Sequence, residues 1–137
     1  MSEQNKAAVR RIVEDHWNKK NASIASELFG ANCLIHTPDG ELRGVEGATQ
    51  LLGAYGTAFP DFHITVEDNI AEGEQVALRY TFSGTHKGQL GPTAASGKRV
   101  ATSGITIFRF AGGKVAEARF EWDRVSLRQQ IGSLPPG

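Results

Sequence analysis

The sequence has one cysteine, no excess of either charge and no long apolar run. Cys33 therefore has no partner for an internal disulfide, and an oxidising compartment gains no support. The 15 lysines and arginines balance the 15 aspartates and glutamates. This balance argues against nucleic acid and against membrane lipid as partners, because both anionic surfaces attract a basic surplus. No apolar run approaches the roughly 20 residues that span a bilayer.

The first six residues are polar and lack the apolar segment of a signal peptide. The chain has 137 residues, of which 39% are hydrophobic, enough for one buried core. We therefore expect a soluble, cytoplasmic protein with a single domain over residues 1–137.

Apolar periodicity changes along the chain from helical spacing to alternation. Helical spacing predicts helices over 2–20, 23–29, 45–58 and 126–131. A short strand is predicted over 33–37, and beyond Asp61 alternation predicts four long strands. The last two, 100–110 and 115–123, flank the hairpin turn Ala111-Gly112-Gly113. This order of helices followed by strands predicts an α+β fold with an antiparallel sheet.

Sequence motifs of several enzyme classes are missing. In Gly91–Lys98 five residues separate the two glycines, one more than in a phosphate loop, and Arg99 stands where such a loop needs Ser or Thr. The four histidines lack metal-ligand spacing, and a single cysteine excludes a thiolate zinc site, so we expect no metal. No Gly-x-Ser-x-Gly elbow of a serine hydrolase occurs. An enzyme built on this chain would use carboxylates, histidines and the shape of an apolar cavity.

Charged and apolar residues alternate along the last predicted strand. One face carries Glu117, Arg119, Glu121 and Asp123, and the other carries Ala116, Ala118, Phe120 and Trp122. On spacing alone, the charged face is solvated and the apolar face lies in the core. Alternatively, a strongly curved sheet encloses a cavity that receives a carboxylate of this strand. Burial there would raise the pKa of Asp123 toward the range in which it exchanges a proton at neutral pH.

Six stretches along nearly the whole chain carry a family resemblance. They are Phe59-Pro60-Asp61-Phe62, Ser83-Gly84-Thr85-His86-Lys87-Gly88, Ser96-Gly97-Lys98-Arg99-Val100, Ile107-Phe108-Arg109-Phe110, Gly113-Lys114-Val115-Ala116-Glu117 through Asp123, and Leu127-Arg128-Gln129-Gln130-Ile131-Gly132. They resemble the SnoaL-like polyketide cyclases of the nuclear transport factor two-like superfamily. The resemblance implies a cone-shaped α+β barrel, with N-terminal helices packed on a strongly curved antiparallel or mixed sheet that encloses a pocket. It also implies a cofactor-free cyclase or isomerase acting on a carbonyl-activated, polyketide-like small molecule.

The resemblance also implies roles for individual residues. Asp123 falls on the aspartate that acts as general acid and base in these cyclases. His86 matches a histidine of the family, and either lines the pocket mouth or anchors its loop. Arg79 and Arg119 match positions that either hold a substrate oxygen or pair with neighbouring glutamates.

Four further residues are expected to contact the substrate, namely His16, Trp17, Phe59 and Thr106. His16 lies where related cyclases place a tyrosine, although a buried core histidine is the alternative. Trp17 and Phe59 either form core or wall the pocket. Gly104 and Thr106 stand where studied cyclases carry glutamine and histidine. A ligand that is smaller than an anthraquinone precursor, or differently oriented, is therefore expected.

Two other classes of function stay open on the sequence. One is a non-catalytic module of the same fold that binds a small molecule or dimerises, and the other is a cofactor-independent hydrolase or hydroxylase. We also expect a homodimer, because helices on one face of the sheet leave the other face in need of cover.

Overall fold

The computed structural model describes residues 2–134, which form helices and a six-stranded sheet. The helices are α1 Ser2–Arg11, α2 Ala25–Leu28, α3 Gly44–Ala58 and α4 Arg124–Ile131. The strands are β1 Phe29–Thr37, β2 Gly40–Arg43, β3 His63–Glu72, β4 Gln75–Thr85, β5 Arg99–Ala111 and β6 Lys114–Trp122. Within 2–134, none of the helices combines the length and apolar character that a membrane span requires.

The first predicted helix is confirmed, but its second half winds differently. After α1 the chain continues as a π-helix over Ile12–Asn18. π-Helical segments are rare in proteins, and those that occur often lie at functional sites. This segment buries both His16 and Trp17 against the sheet side of the helix layer. The π-helix therefore brings two large rings into the interior from neighbouring positions.

The sheet is mixed and curved, and it does not close into a barrel. Its strand order is β2-β1-β6-β5-β4-β3. The β1–β6 pair is parallel, whereas the other pairs are antiparallel. Register shifts at Val66/Asp68 and at Arg109/Phe110 interrupt the ladders, and such bulges bend a strand. The expected α+β cone fold is confirmed.

The helices cover one face of this sheet. The first helix contacts β3 and β4, α3 contacts β1 and β2, and α4 contacts β5. Along β5, alternate residues from Val100 to Phe110 are buried under the helices, whereas most of those between them are exposed. The sheet therefore has an inner face in the core and an outer face that is open to solvent.

The structure corrects four details of the predicted elements. β1 begins at Phe29, so Gly30 lies in a strand and does not cap the preceding helix. The short strand β2 was not predicted, because its four residues show no apolar alternation. Val66 continues the apolar alternation of Phe62 and Ile64, which predicts a buried side chain, but it is 38% exposed in the edge strand β3. The last helix begins at Arg124, two residues earlier than predicted.

Candidate functional site

A cavity opens between the helices and the inner face of the sheet. Its walls are Trp17, Leu51, Leu52, Tyr55, Phe62, Ile64, Tyr80, Phe82, Thr102, Phe120, Trp122 and Leu127. The cavity has a volume of about 70 Å³. This is smaller than the roughly 300–1,000 Å³ of typical small-molecule pockets, so the free interior is narrow.

Few residues of the cavity wall have polar side-chain groups. They are Tyr55, Tyr80 and Thr102, which carry hydroxyls, and Trp17 and Trp122, which carry indole N–H groups. The Trp122 Nε1 is buried and has no hydrogen-bond partner among residues 2–134. Burial raises the pKa of Tyr80 to about 12, so its hydroxyl stays protonated at neutral pH. The site therefore offers hydrogen-bond donors to ligand oxygens within an aromatic wall.

One wall residue is connected to a carboxylate. The Tyr55 hydroxyl on α3 donates a hydrogen bond to Asp39 Oδ2 at 3.0 Å, in the turn between β1 and β2. The Arg124 Nε of α4 lies 2.9 Å from Asp39 Oδ1, and its Nη1 donates to the Pro38 carbonyl oxygen at 3.0 Å. Burial, followed by the nearby Asp39 carboxylate, raises the pKa of Tyr55. We call Tyr55, Asp39 and Arg124 the mouth cluster.

The expectation that Asp123 faces the cavity is wrong. Its carboxylate is exposed and caps α4 by accepting a hydrogen bond from the Ser126 backbone N–H at 2.9 Å. The residue borders a depression on the outer face of the sheet, together with Arg79 and Ile105. The physical reason is the alternation along β6, which turns Phe120 and Trp122 inward and the charged residues outward.

His86 is buried, but it anchors a loop and does not line the pocket mouth. Its Nδ1 accepts the Ser96 backbone N–H at 3.1 Å and lies 2.9 Å from the Ser96 hydroxyl. Its backbone bonds to Lys98 and Gly97 join the two ends of the same loop. Burial lowers the pKa of His86 and favours the neutral ring. Of the two alternatives for this residue, the structure supports the loop anchor.

The two predicted substrate arginines lie on the outer face, which corrects the expectation that they hold a ligand in the cavity. Arg79 Nε donates to Asp68 Oδ2 at 2.7 Å, and Arg119 Nη2 donates to Glu117 Oε2 at 3.0 Å. Both arginines are exposed. The predicted alternative, an ion pair with Glu117 or Glu121, is supported for Arg119, whereas Arg79 pairs with an aspartate that was not predicted.

Among the four other predicted contacts, Trp17 lines the cavity. His16, Phe59 and Thr106 are fully buried but do not belong to the cavity wall, which corrects their assignment. The His16 Nδ1–H donates to the Asn21 carbonyl oxygen at 3.1 Å. Burial lowers the pKa of His16, so it is a neutral core histidine.

The most polar part of the mouth was missed at the sequence level. Tyr55 is on the apolar side of the third predicted helix, where a tyrosine is read as core. Asp39 follows Pro38 in a turn motif, where aspartate is common for conformational reasons. The sequence contains one signal for this pair, namely a carboxylate in the turn of the β1–β2 hairpin and a tyrosine on the helix that follows the hairpin.

The curved mixed sheet, the covering helices and the enclosed cavity define an α+β cone protein of the nuclear transport factor two-like type. The model of the SnoaL-like polyketide cyclases matches residues 7–131, and the chain belongs to this family. Within residues 2–134, no cluster of three His, Cys, Asp or Glu is arranged to hold a metal ion.

Similar proteins are known by sequence and by structure. Aklanonic acid methyl ester cyclase DnrD from Streptomyces peucetius is 28% identical over 133 residues, covering 93% of this chain and 90% of DnrD. A structure from Jannaschia sp. CCS1, assigned to the SnoaL-like polyketide cyclases, has 23% identity and a TM-score of 0.90, and covers 98% of this chain and 95% of that one. AclR, a proposed hydroxylase from Streptomyces galilaeus, has 27% identity and a TM-score of 0.87, with coverage of 100% and 86%.

Proposed function

We propose that this protein is a cofactor-free cyclase or isomerase that acts on a carbonyl-activated, polyketide-like small molecule. Family membership and the similarity to a cyclase for aklanonic acid methyl ester support the reaction class. The observation that carries the proposal is the aromatic cavity, whose wall residues have hydroxyl and indole N–H groups as their polar side-chain groups. These are the groups that hydrogen-bond carbonyl oxygens.

The cavity suits enolate chemistry for a physical reason. A methylene flanked by carbonyls loses a proton readily, because the negative charge spreads over the neighbouring oxygens. Hydrogen-bond donors aimed at those oxygens stabilise the charge, and they act more strongly where aromatic walls exclude water. The indole N–H of Trp122 and the hydroxyl of Tyr80 are such donors. The enolate carbon can then attack a second carbonyl of the same molecule and close a ring.

Aklanonic acid methyl ester is the substrate with which to test this proposal. We expect the protein to convert it to a product of unchanged mass, followed by liquid chromatography and mass spectrometry. Cyclisation keeps the mass, hydroxylation adds an oxygen atom, and hydrolysis of the methyl ester releases methanol and leaves an acid that is lighter by one CH₂ unit. One measurement therefore separates the three reaction classes. An ester that is neither bound nor consumed would contradict the proposal.

Binding is measured without a label, because both tryptophans of the chain, Trp17 and Trp122, line the cavity. A ligand stacked against either ring is expected to change the intrinsic fluorescence with a saturable dose dependence. The variant Trp122→Phe provides the control, since it removes one reporter and the indole N–H while retaining an aromatic wall.

A second candidate is a binding module without activity. It is favoured by one observation: the cavity wall of the described chain contains no carboxylate, imidazole or amine. In that case, the ester would change the tryptophan fluorescence but would be recovered unconverted.

A further inference from the structure

We propose that Tyr55 and Asp39 form the proton-transfer pair of the cavity, with Tyr55 in contact with the ligand and Asp39 acting through it. This inference rests on the proposed function and names the residues that would carry its chemistry. The ligand class is a flat molecule with an acidic C–H between two carbonyl groups.

The hydrogen bonds of the cavity wall point to this pair. Among the wall residues in the described part of the chain, Tyr55 is the one whose side chain bonds to a carboxylate, at 3.0 Å from Asp39 Oδ2. Because the hydroxyl hydrogen is directed at Asp39, the lone pairs of the Tyr55 oxygen are left to accept a proton from a ligand. Burial and the Asp39 charge keep the phenol protonated before the reaction.

The surroundings hold both members of the pair in place. Arg124 Nε occupies the Asp39 Oδ1 side at 2.9 Å, which leaves Oδ2 to Tyr55. The Tyr55 ring is stacked on Phe59 with centroids 6.4 Å apart and meets Trp122 edge-on at 5.4 Å. Aromatic contacts of this kind orient a ring and stabilise it beyond the burial of its surface area. These contacts fix the phenol oxygen beside the Asp39 carboxylate, on a residue that lines the cavity.

The proposed step conserves protons and electrons. The C–H bond of the ligand breaks, its electron pair forms the enolate, and the proton passes to the Tyr55 oxygen. In the same step the original Tyr55 proton passes to Asp39 Oδ2. After the enolate carbon has bonded to the second carbonyl carbon, the new alkoxide recovers a proton from Tyr55, and Asp39 returns its proton to Tyr55. No oxidant, reductant or other co-reactant is required.

Hydrogen–deuterium exchange of 2-acetyl-1-tetralone tests the proton transfer without the true substrate. This probe is a flat bicyclic 1,3-dicarbonyl, and its exchange in D₂O is followed by NMR while the tryptophan fluorescence reports binding. We expect the native protein to bind the probe and to accelerate the exchange. Tyr55→Phe should lower the protein-catalysed rate about 10²-fold or more, the size typical of a lost acid–base group, with binding retained.

Three further variants separate catalysis from structure. Asp39→Asn should lower the exchange rate, and Asp39→Glu should recover part of it. In Asp39→Asn, the pKa of Tyr55 should fall, because a negative charge beside it has been removed. NMR of protein labelled with ¹³C at tyrosine Cζ measures that shift. The exposed Asp123→Asn variant is the matched control and should exchange the probe at the native rate.

The outcomes distinguish this inference from the proposed function. Binding with exchange that persists in a folded Tyr55→Phe protein would overturn the role of the pair and leave the proposed function intact. Binding without any accelerated exchange in the native protein would also overturn the pair and would favour a binding module. A native protein that does not bind the probe would contradict the proposed ligand class and, with it, the pair.

Discussion

Asp123 belongs to two local sequence patterns, a strand alternation and a helix N-cap, which predict different positions for its carboxylate. Asp123 continues the charged alternation of β6, and it also stands three residues before Ser126 at the start of a helix. Aspartate is a favoured N-cap, because its oxygen satisfies a free backbone N–H of the first turn. The cap holds this carboxylate at the surface, so proximity in sequence to a cavity residue such as Trp122 does not place it in the cavity.

The role of the cap can be measured. Asp123→Ala should lower the free energy of unfolding by about 0.5–2 kcal/mol, the typical loss for an N-cap, whereas Asp123→Asn keeps an acceptor oxygen and should change it little. Urea unfolding compares the two variants. Both should convert aklanonic acid methyl ester at the native rate if the proposed function holds. A large loss of turnover in the well-folded Asp123→Asn protein would contradict the placement of this residue.

Gly104 is a second residue whose identity the packing explains. A Cβ atom at this position would lie 2.5 Å from both Cζ and the hydroxyl oxygen of Tyr80, which occupies the space above the glycine. Gly104→Ala should therefore destabilise the fold by about 1–3 kcal/mol, as overpacked core positions do. The neighbouring Ser103→Ala, on the exposed face, is the control and should be nearly neutral. Equal unfolding midpoints for the two variants would refute the close packing of Tyr80.

At the scale of elements, hydrogen-bonded ion pairs tie the β1–β2 hairpin to the last strand. His36 Nε2 lies 2.7 Å from Glu117 Oε2 on β6, and its Nδ1 lies 2.6 Å from Glu41 Oε2 on β2. The hydrogen bonds to Glu117 and Glu41 raise the pKa of His36. The hydrogen bond from His36 lowers the pKa of Glu117, and Arg119 and Arg109 act in the same direction.

This cluster predicts a pH-dependent stability with a definite sign. The pKa of His36 is higher in the folded protein, so its contribution is complete below the ordinary histidine pKa and is lost as the pH rises through the raised value. Glu117 stabilises the folded protein above its ordinary pKa, and this contribution is lost as the pH falls through its lowered pKa. His36→Gln should therefore destabilise more at about pH 6 than at about pH 9, measured by urea unfolding at both. Glu41→Gln, at the more exposed end, should have a smaller effect.

The elements differ in how far their sequence determines them. The inner and outer faces of β6 follow from its alternation, and the turn at Ala111-Gly112-Gly113 is formed by two glycines with positive φ. β2 could not be predicted from its own residues, because it forms by pairing with β1 around the Pro38-Asp39 turn. The mouth cluster could not be predicted either, since it depends on tertiary contacts between Asp39, Tyr55 and Arg124.

At the scale of the whole molecule, the outer face of the sheet is the surface on which we expect a partner to bind. Ile105 and Ile107 lie on it in the central strand β5 and are 45% and 40% exposed. We propose that this face pairs with a second copy of the chain, as expected from a sheet covered on one side. Contiguous exposed apolar residues on a protein surface commonly mark such contacts.

Sedimentation equilibrium tests this assembly. The native protein should have twice the mass of one chain, and Ile105→Lys or Ile107→Lys should reduce it to that of one chain, since a desolvated lysine opposes the contact. Val125→Lys on α4, where the valine is 58% exposed away from β5, is the control and should leave the mass unchanged. A native mass equal to one chain would rule the pairing out.

The strict in-and-out alternation of β5 has a consequence for how this molecule can evolve. Thr102 forms part of the cavity wall, whereas its neighbours Ala101 and Ser103 are exposed on the opposite side. A substitution that reshapes the cavity floor therefore leaves the outer surface chemically untouched, and the reverse holds as well. The cavity wall and the exposed face can therefore change separately, even though a single strand contributes to both.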